Sequence, residues 1–313
     1  MNTKTSGVQV SLAELVRLRS QLFKTKLSNH KKVKTTTVGG YPSFFHGRGM
    51  DFLELRHYQP GDDIRAINWR VTARTGKTHI KLFREERERP VFLLVDYGPQ
   101  MFFGTQVKFK SVVAAYVAAW LAWTANAYGD RVGGLIFSAA EKHKKLAPAS
   151  GQRAVSRLLK ALVDNQPTQE GYLQKGQFSS ALVQLQKMAY PGSLICIISD
   201  FQGLDKEGET HIKRLAQHND VLTVFIYDPL EKALPVLPGD YEMTDGQQTQ
   251  TFNSTDYQLC QVYQARFERH HTDLETFFKQ QAIRWLSLAT NDNIVDVLRN
   301  NLGRSKRVLP LIL

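Results

Sequence analysis

The sequence predicts an α/β fold: a mostly parallel β-sheet flanked by helices, with a small β-rich segment in front of it. Three observations carry this. Between residues 91 and 303, strand-length apolar runs alternate with stretches of helical spacing. The runs are continuously apolar, as in strands covered on both faces. Three of them end at an acid, Asp96, Asp200 and Asp228.

Taken in order, residues 12–23 carry helical spacing (Leu12, Leu15, Val16, Leu18, Leu22), and the polar, basic stretch 24–37 reads as a linker. Residues 44–90 read as short strands broken by turns. Gln59-Pro60-Gly61-Asp62 has the chemistry of a type II turn, Pro fixing φ and Gly supplying the positive one. Then come a strand at 91–96 and a helix at 108–128, apolar nearly all round and therefore buried. A Gly-rich strand at 130–137 follows, then helices at 152–165 and 178–188, a strand at 193–200, a polar helix to about 218 and a strand at 221–227. The stretch 230–254, with Pro235, Pro238 and Asp245-Gly246, reads as an inserted hairpin or loop. A charged helix at 257–281, a strand at 283–289 and a helix at 294–301 close the pattern. The expected division is 1–43 (N-terminal helix and basic linker), 44–90 (small β-rich segment), 91–303 (sheet domain with its insertion) and 304–313 (tail).

Composition narrows the function classes. The chain has 313 residues, 42% hydrophobic and 22% charged, enough for one sizeable core and too ordered a mixture for wholesale disorder. Its two cysteines lack C-x-x-C spacing, which excludes a disulfide scaffold and fits a reducing compartment. The longest unbroken apolar stretch, 112–123, is too short to span a bilayer, and residues 1–11 have no apolar signal core; a cytoplasmic location is expected. The net charge is +12, and residues 1–90 hold 18 Lys and Arg against 8 Asp and Glu. That asymmetry suits either a solvated basic surface or an acidic partner: nucleic acid, an anionic membrane or an acidic protein face.

In an open parallel sheet, ligands bind beyond the carboxyl ends of the strands. Asp96 and Asp200 there make a seat for a hard divalent cation; alternatively each acid caps the loop that follows its strand. A divalent-metal-dependent hydrolase at Asp96 and Asp200 is thus one alternative function, and nucleic-acid binding through the basic N-terminal part another. Against the latter, Lys31-Lys32 and Lys34 form a short arm with no interleaved aromatics before Phe44 and Phe45, so nucleic acid is not the expected partner. Gly76-Lys77-Thr78 lacks the earlier glycine and following helix of a P-loop, and the charged helix with Glu268, His270, His271 and Asp273 lacks H-E-x-x-H spacing.

The order of an acid-ended strand, a long helix, a Gly-rich strand and a strand ending Ile198-Ser199-Asp200 resembles the von Willebrand factor A fold. The resemblance implies a magnesium ion held by a D-x-S-x-S loop, a Thr from a second loop and an Asp from a third. Here the loop reads Asp96-Tyr97-Gly98-Pro99-Gln100. Both serines are replaced, and Gln100 offers only an amide oxygen. The Thr position falls near Gly176, with Ser179 and Ser180 close by, and Asp200 matches the third element. The expected metal set is therefore degenerate, Asp96 and Asp200 with Gln100 and Ser179 as neighbours. Little or no tight Mg²⁺ binding is expected, and no other cofactor.

The string before the sheet is more specific: Gly47-Arg48-Gly49-Met50-Asp51-Phe52, Glu54-Leu55-Arg56, Tyr58, Pro60-Gly61-Asp62-Asp63-Ile64-Arg65, Ile67-Asn68-Trp69-Arg70 and Ala73-Arg74. With Asp130-Arg131-Val132-Gly133, and with Asp228-Pro229, Glu231 and Leu234-Pro235, it resembles domain-of-unknown-function family 58 over about residues 45–303. The resemblance implies a von Willebrand factor A-like domain without established enzymatic activity. It also implies an adaptor beside a MoxR-type AAA+ ATPase, with other von Willebrand A-type proteins as further partners. Arg56, Asp62, Asp63, Arg65, Trp69 and Arg74 are the candidate partner-binding residues. Their alternating charges can staple the small segment to the sheet domain or face a partner, and the Trp and Ile between them favour packing.

Overall fold

The computed structural model describes residues 7–21, 50–85, 88–138, 143–168, 176–234, 239–244 and 249–302. The expected linker at 24–37, Phe44 and Phe45, the Asp245-Gly246 turn and the tail at 304–313 lie outside them. By internal packing the chain forms two units, Lys34–Glu88 and the remainder (Met1–Val33 with Arg89–Leu313).

The larger unit begins with α1 (Leu12–Arg17), started by a capping box between Ser11 and Glu14 and continued by a 3-10 turn, Leu18–Gln21. Its main chain then alternates: β3 (Pro90–Tyr97), α3 (Lys110–Ala127), β4 (Arg131–Ser138), β5 (Lys144–Ala149), α4 (Gln152–Asp164), α5 (Gln177–Met188), β6 (Leu194–Ser199), α6 (Lys206–His218), β7 (Asp220–Tyr227) and the single turn α7 (Pro229–Lys232). The hairpin β8 (Asp240–Thr244) and β9 (Thr249–Asn253) follows, then α8 (Tyr257–Gln280), β10 (Arg284–Ala289) and α9 (Ile294–Leu302). β1 (Met50–His57) and β2 (His79–Glu85) belong to the smaller unit.

The strands form one sheet in the order β10-β7-β6-β3-β4-β5, parallel except for β5. This is the doubly wound order with a reversed edge strand, the architecture expected of a von Willebrand factor A-like domain. β3 is buried on both faces. Val91, Leu93 and Val95 enter the core beneath α1, α3, α4 and α9, while Phe92 and Leu94 enter the core beneath α5, α6 and α8. Gly134 lets β4 lie close to β3: a β-carbon there would sit 2.2 Å from the Leu93 carbonyl oxygen.

The N-terminal helix packs on its own unit. Leu15 and Leu18 are buried, the Trp123 indole donates to the Leu15 carbonyl at 3.0 Å, and the Gln166 amide grips both backbone groups of Val10. β5 had no counterpart among the expected elements. Its Lys144, Lys145 and Pro148 break the apolar pattern that marks a buried strand, and charge and proline are what an edge strand carries.

In the smaller unit, β1 (Met50–His57) pairs antiparallel with β2 (His79–Glu85). The 59–62 turn forms as expected, with Gly61 at φ +104° and the Asp62 amide donating to the Gln59 carbonyl at 3.0 Å. Between the strands, where further short strands were expected, lies a helix, α2 (Trp69–Thr75). Asn68 caps its start and Gly76, at φ +69°, ends it. These caps overrule the β-branched Val71, Thr72 and Thr75. Gly76 is thus a helix terminator and not part of a phosphate loop.

Candidate functional site

The carboxyl ends of β3, β6 and β7 stand side by side, so Asp96, Asp200 and Asp228 gather at one rim of the sheet. Asp96 and Asp200 converge there with two residues that periodicity does not single out, Lys110 and Glu231. Lys110 is the first residue of α3 and is 1% exposed; its ammonium donates at 2.7 Å to Asp200 Oδ2 and at 2.7 Å to Glu231 Oε1. Asp200 Oδ1 accepts from the Gln202 amide at 3.1 Å, and Glu231 also accepts from the Gln202 side chain at 3.2 Å.

Asp96 is buried and fully engaged. Its Oδ1 accepts from the Gly98 amide at 2.8 Å, and its Oδ2 accepts from the Ser199 hydroxyl and, at 3.3 Å, from Gln100 Nε2. Burial pushes its carboxyl up to about 7, and the neighbouring Asp200 charge adds to this against the pull of Ser199, Gly98 and Lys110. For Lys110, burial favours the neutral amine, but Asp200 and Glu231 outweigh it and hold the ammonium's pKa above its usual value. Burial raises Glu231 despite its contact with Lys110.

Asp228 has the capping role. It forms a capping box with Glu231 at the start of α7, and its carboxylate collects the Thr105 hydroxyl, the Thr105 amide at 3.0 Å and the Thr290 hydroxyl at 2.6 Å. Burial opposes its ionised form, yet these bonds hold its carboxyl below the usual range.

The magnesium ion that the von Willebrand resemblance implies does not fit these residues. The position beside Asp200 is held by the Lys110 ammonium. The first loop has no serine hydroxyl at either expected position, and a β-carbon on Gly98 would lie 2.5 Å from Gln100 Oε1, so the Gln100 amide fills the space over Gly98. Ser179, expected nearby, instead donates to Asp205 at 2.6 Å at the start of α6. Among the described residues no group of three His, Cys, Asp or Glu is placed to hold a metal ion.

Of the six candidate partner residues, the structure pairs Arg56 with Asp62 at 2.7 Å within the smaller unit and uses Asp63 to cap the turn Ile64–Ala66. Asp62 is held below the usual carboxylate range by the Gln59 amide and by Arg56. Arg65, Trp69 and Arg74 are exposed on and beside α2. The expectation that the Trp and Ile of this string pack is overturned for Trp69, 66% exposed, and Ile64, 64% exposed. The sequence signal missed was Asn68, which makes Trp69 the first residue of a surface helix. Likewise His271, expected on a solvated face, packs on Phe225 and Trp285.

No helix among the described residues is long and apolar enough to cross a membrane. The chain is similar over 94% of its length, at 26% identity, to "Uncharacterized protein Rv1480" of Mycobacterium tuberculosis (92% of that protein), and equally to "Uncharacterized protein Mb1516" of Mycobacterium bovis. Among solved structures it is similar to the conserved hypothetical protein BatB from Bacteroides thetaiotaomicron (15% identity, 68% of this chain and 96% of that one, TM-score 0.42). It is also similar to an aerotolerance-related membrane protein from Bacteroides fragilis (14%, 68% and 96%, TM-score 0.44). The profile of the family described as "Protein of unknown function DUF58" matches residues 54–273, from the Arg-acid string of the smaller unit through most of α8. The chain belongs to that family.

Proposed function

We propose that this chain is a protein-interaction module without catalytic activity of its own, an adaptor that works beside a MoxR-type AAA+ ATPase in chaperone-like or assembly work in the cytoplasm. The observation that supports this reading is the face of α2 and the turn before it. Trp69 and Ile64 stand exposed there among Arg65, Arg70 and Arg74, none of which has a carboxylate partner among the described residues. Exposed Trp flanked by Arg is the composition of interface hot spots, because both side chains bury large surface and Arg offers a fixed fork of donors. The partner chemistry that fits is an acidic segment carrying an apolar residue.

The test is retention of the purified MoxR-type ATPase of the same organism by the immobilised full chain, with Trp69→Ala and Arg65→Ala as variants. Each substitution should weaken retention by about tenfold or more, as loss of a hot-spot side chain does. Absence of retention by the wild type, or equal retention by both variants, defeats the reading.

A further inference from the structure

The sheet of the larger unit ends in two edge strands, β5 and β10, and only β5 is protected against pairing with another strand. We infer that β10 is a self-association surface: two copies of this chain pair their β10 strands antiparallel about a two-fold axis centred on Leu286, which joins two sheets into one. The pairing uses none of the residues of the Trp69 face.

An edge strand offers a row of unpaired backbone groups, and natural sheets blunt such rows with charge, proline or a break in register. β5 carries Lys144, Lys145 and Pro148, and its register with β4 shifts between Val132 and Gly134. β10 has no lysine and no proline, and its register with β7 is unbroken from Arg284 to Ala289. Its one charged residue, Arg284, stands at the start of the strand with Asp220 as a counter-charge.

The hydrogen bonds at the ends of β10 show which residues face outward, because alternate residues of a strand turn amide and carbonyl to the same side. The Arg284 carbonyl accepts from the Thr223 hydroxyl at 3.0 Å, and the Thr290 amide donates to the Tyr227 carbonyl at 2.9 Å, so the even-numbered residues face β7. The odd-numbered ones face away. Of these, the Ile283 amide donates to the Phe278 carbonyl at 2.9 Å and the Ala289 amide to Asp292 Oδ2 at 2.8 Å. Between them, the amides and carbonyls of Trp285 and Ser287 have no hydrogen-bond partner among the described residues. Both residues are half-buried.

A second copy of the same strand fits this edge. Antiparallel pairing centred on Leu286 sets Trp285 of each copy opposite Ser287 of the other, and each such pair exchanges both of its amide–carbonyl bonds. Arg284 falls opposite Leu288, so no like charges meet, as a chain of net charge +12 requires of a surface where it meets itself. The contact is isologous and it closes. The joined sheet ends on both sides in β5, the blunted edge, so growth stops at two chains.

The experiment is sedimentation equilibrium of the full chain from low to high micromolar concentration, at low and high salt, for the wild type, Ser287→Pro and Ser287→Ala. The wild type should pass from one chain to two. Salt should tighten the dimer several-fold, because it screens the repulsion between two basic chains. Ser287→Pro deletes an outward amide in each copy and leaves the β7 ladder intact, and it should weaken the dimer by about tenfold or more. Ser287→Ala keeps that amide and should dimerise as the wild type does. Hydrogen exchange of the wild type at both ends of the concentration range should show residues 284–289 protected in the dimer alone, and it decides if Ser287→Pro fails to fold. A wild type that stays monomeric throughout overturns the proposal and leaves the edge to an extended strand from another protein. So does a dimer that dissociates as salt rises, one that Ser287→Pro leaves unchanged, or one without protection at 284–289.

Discussion

At the scale of single residues, Asp96 holds the least comfortable charge in the crevice. It lies beside Asp200, while the Lys110 ammonium is committed to Asp200 and Glu231. Its carboxyl is raised from 3.8 to about 7, so between those values the folded chain holds a proton that the unfolded chain has released. The stabilisation is complete below the lower value and is lost as pH rises through the upper one. Asp96→Asn mimics the protonated acid at every pH. The stability of the wild type minus that of Asp96→Asn, measured by urea unfolding, should therefore fall by roughly 1 kcal/mol per pH unit between pH 5 and 7. A difference that is flat or rises with pH would contradict the assignment. Asp96 and Asp200 were legible in the sequence because an acid that ends a continuously apolar strand stands out. Lys110 was not, because a lysine at a helix start does not stand out, and Glu231 entered only as part of the family string, with nothing in its spacing to place it beside Asp200. The signal present was a charged residue opening a helix whose next fifteen positions are buried almost without interruption.

At the scale of elements, β4 depends on having no side chain at Gly134. A methyl there meets the Leu93 carbonyl, which belongs to the central strand and has no freedom to withdraw. Gly134→Ala should cost roughly 3 kcal/mol, the upper range for overpacking. Gly76→Ala, which strains only an exposed helix end at φ +69° with open space around it, should cost about 1 kcal/mol. Equal losses in denaturant unfolding would show that the close approach of β4 to β3 does not matter. The same contrast explains which elements the sequence disclosed. β3, β6 and β7 are covered on both faces and so read as unbroken apolar runs. β5 pairs on one side only and carries lysines, and α2 is set by its caps rather than by its β-branched interior, so periodicity missed both.

At the scale of the whole molecule, the net charge of +12 favours encounter with acidic surfaces. If the proposed ATPase is the partner, its association with the full chain should slow on the order of tenfold from low to high ionic strength, read by stopped-flow fluorescence of the exposed Trp69. A salt-independent rate would count against the arginine face as the point of contact. Connectivity has a mechanical consequence as well. The smaller unit is an insertion: the chain leaves the larger unit after the α1 region and re-enters it at Arg89, directly ahead of the central strand. At that point the Arg89 amide donates to Asp130 and its guanidinium to Asp220, which pins the re-entry to β7 and to the start of β4. A motor that tugs on the Trp69 face would load two covalent tethers at once. On the C-terminal tether the tension would meet the Arg89 rivet before it reached β3, so the pull would be borne by the rim of the sheet while its middle stayed at rest.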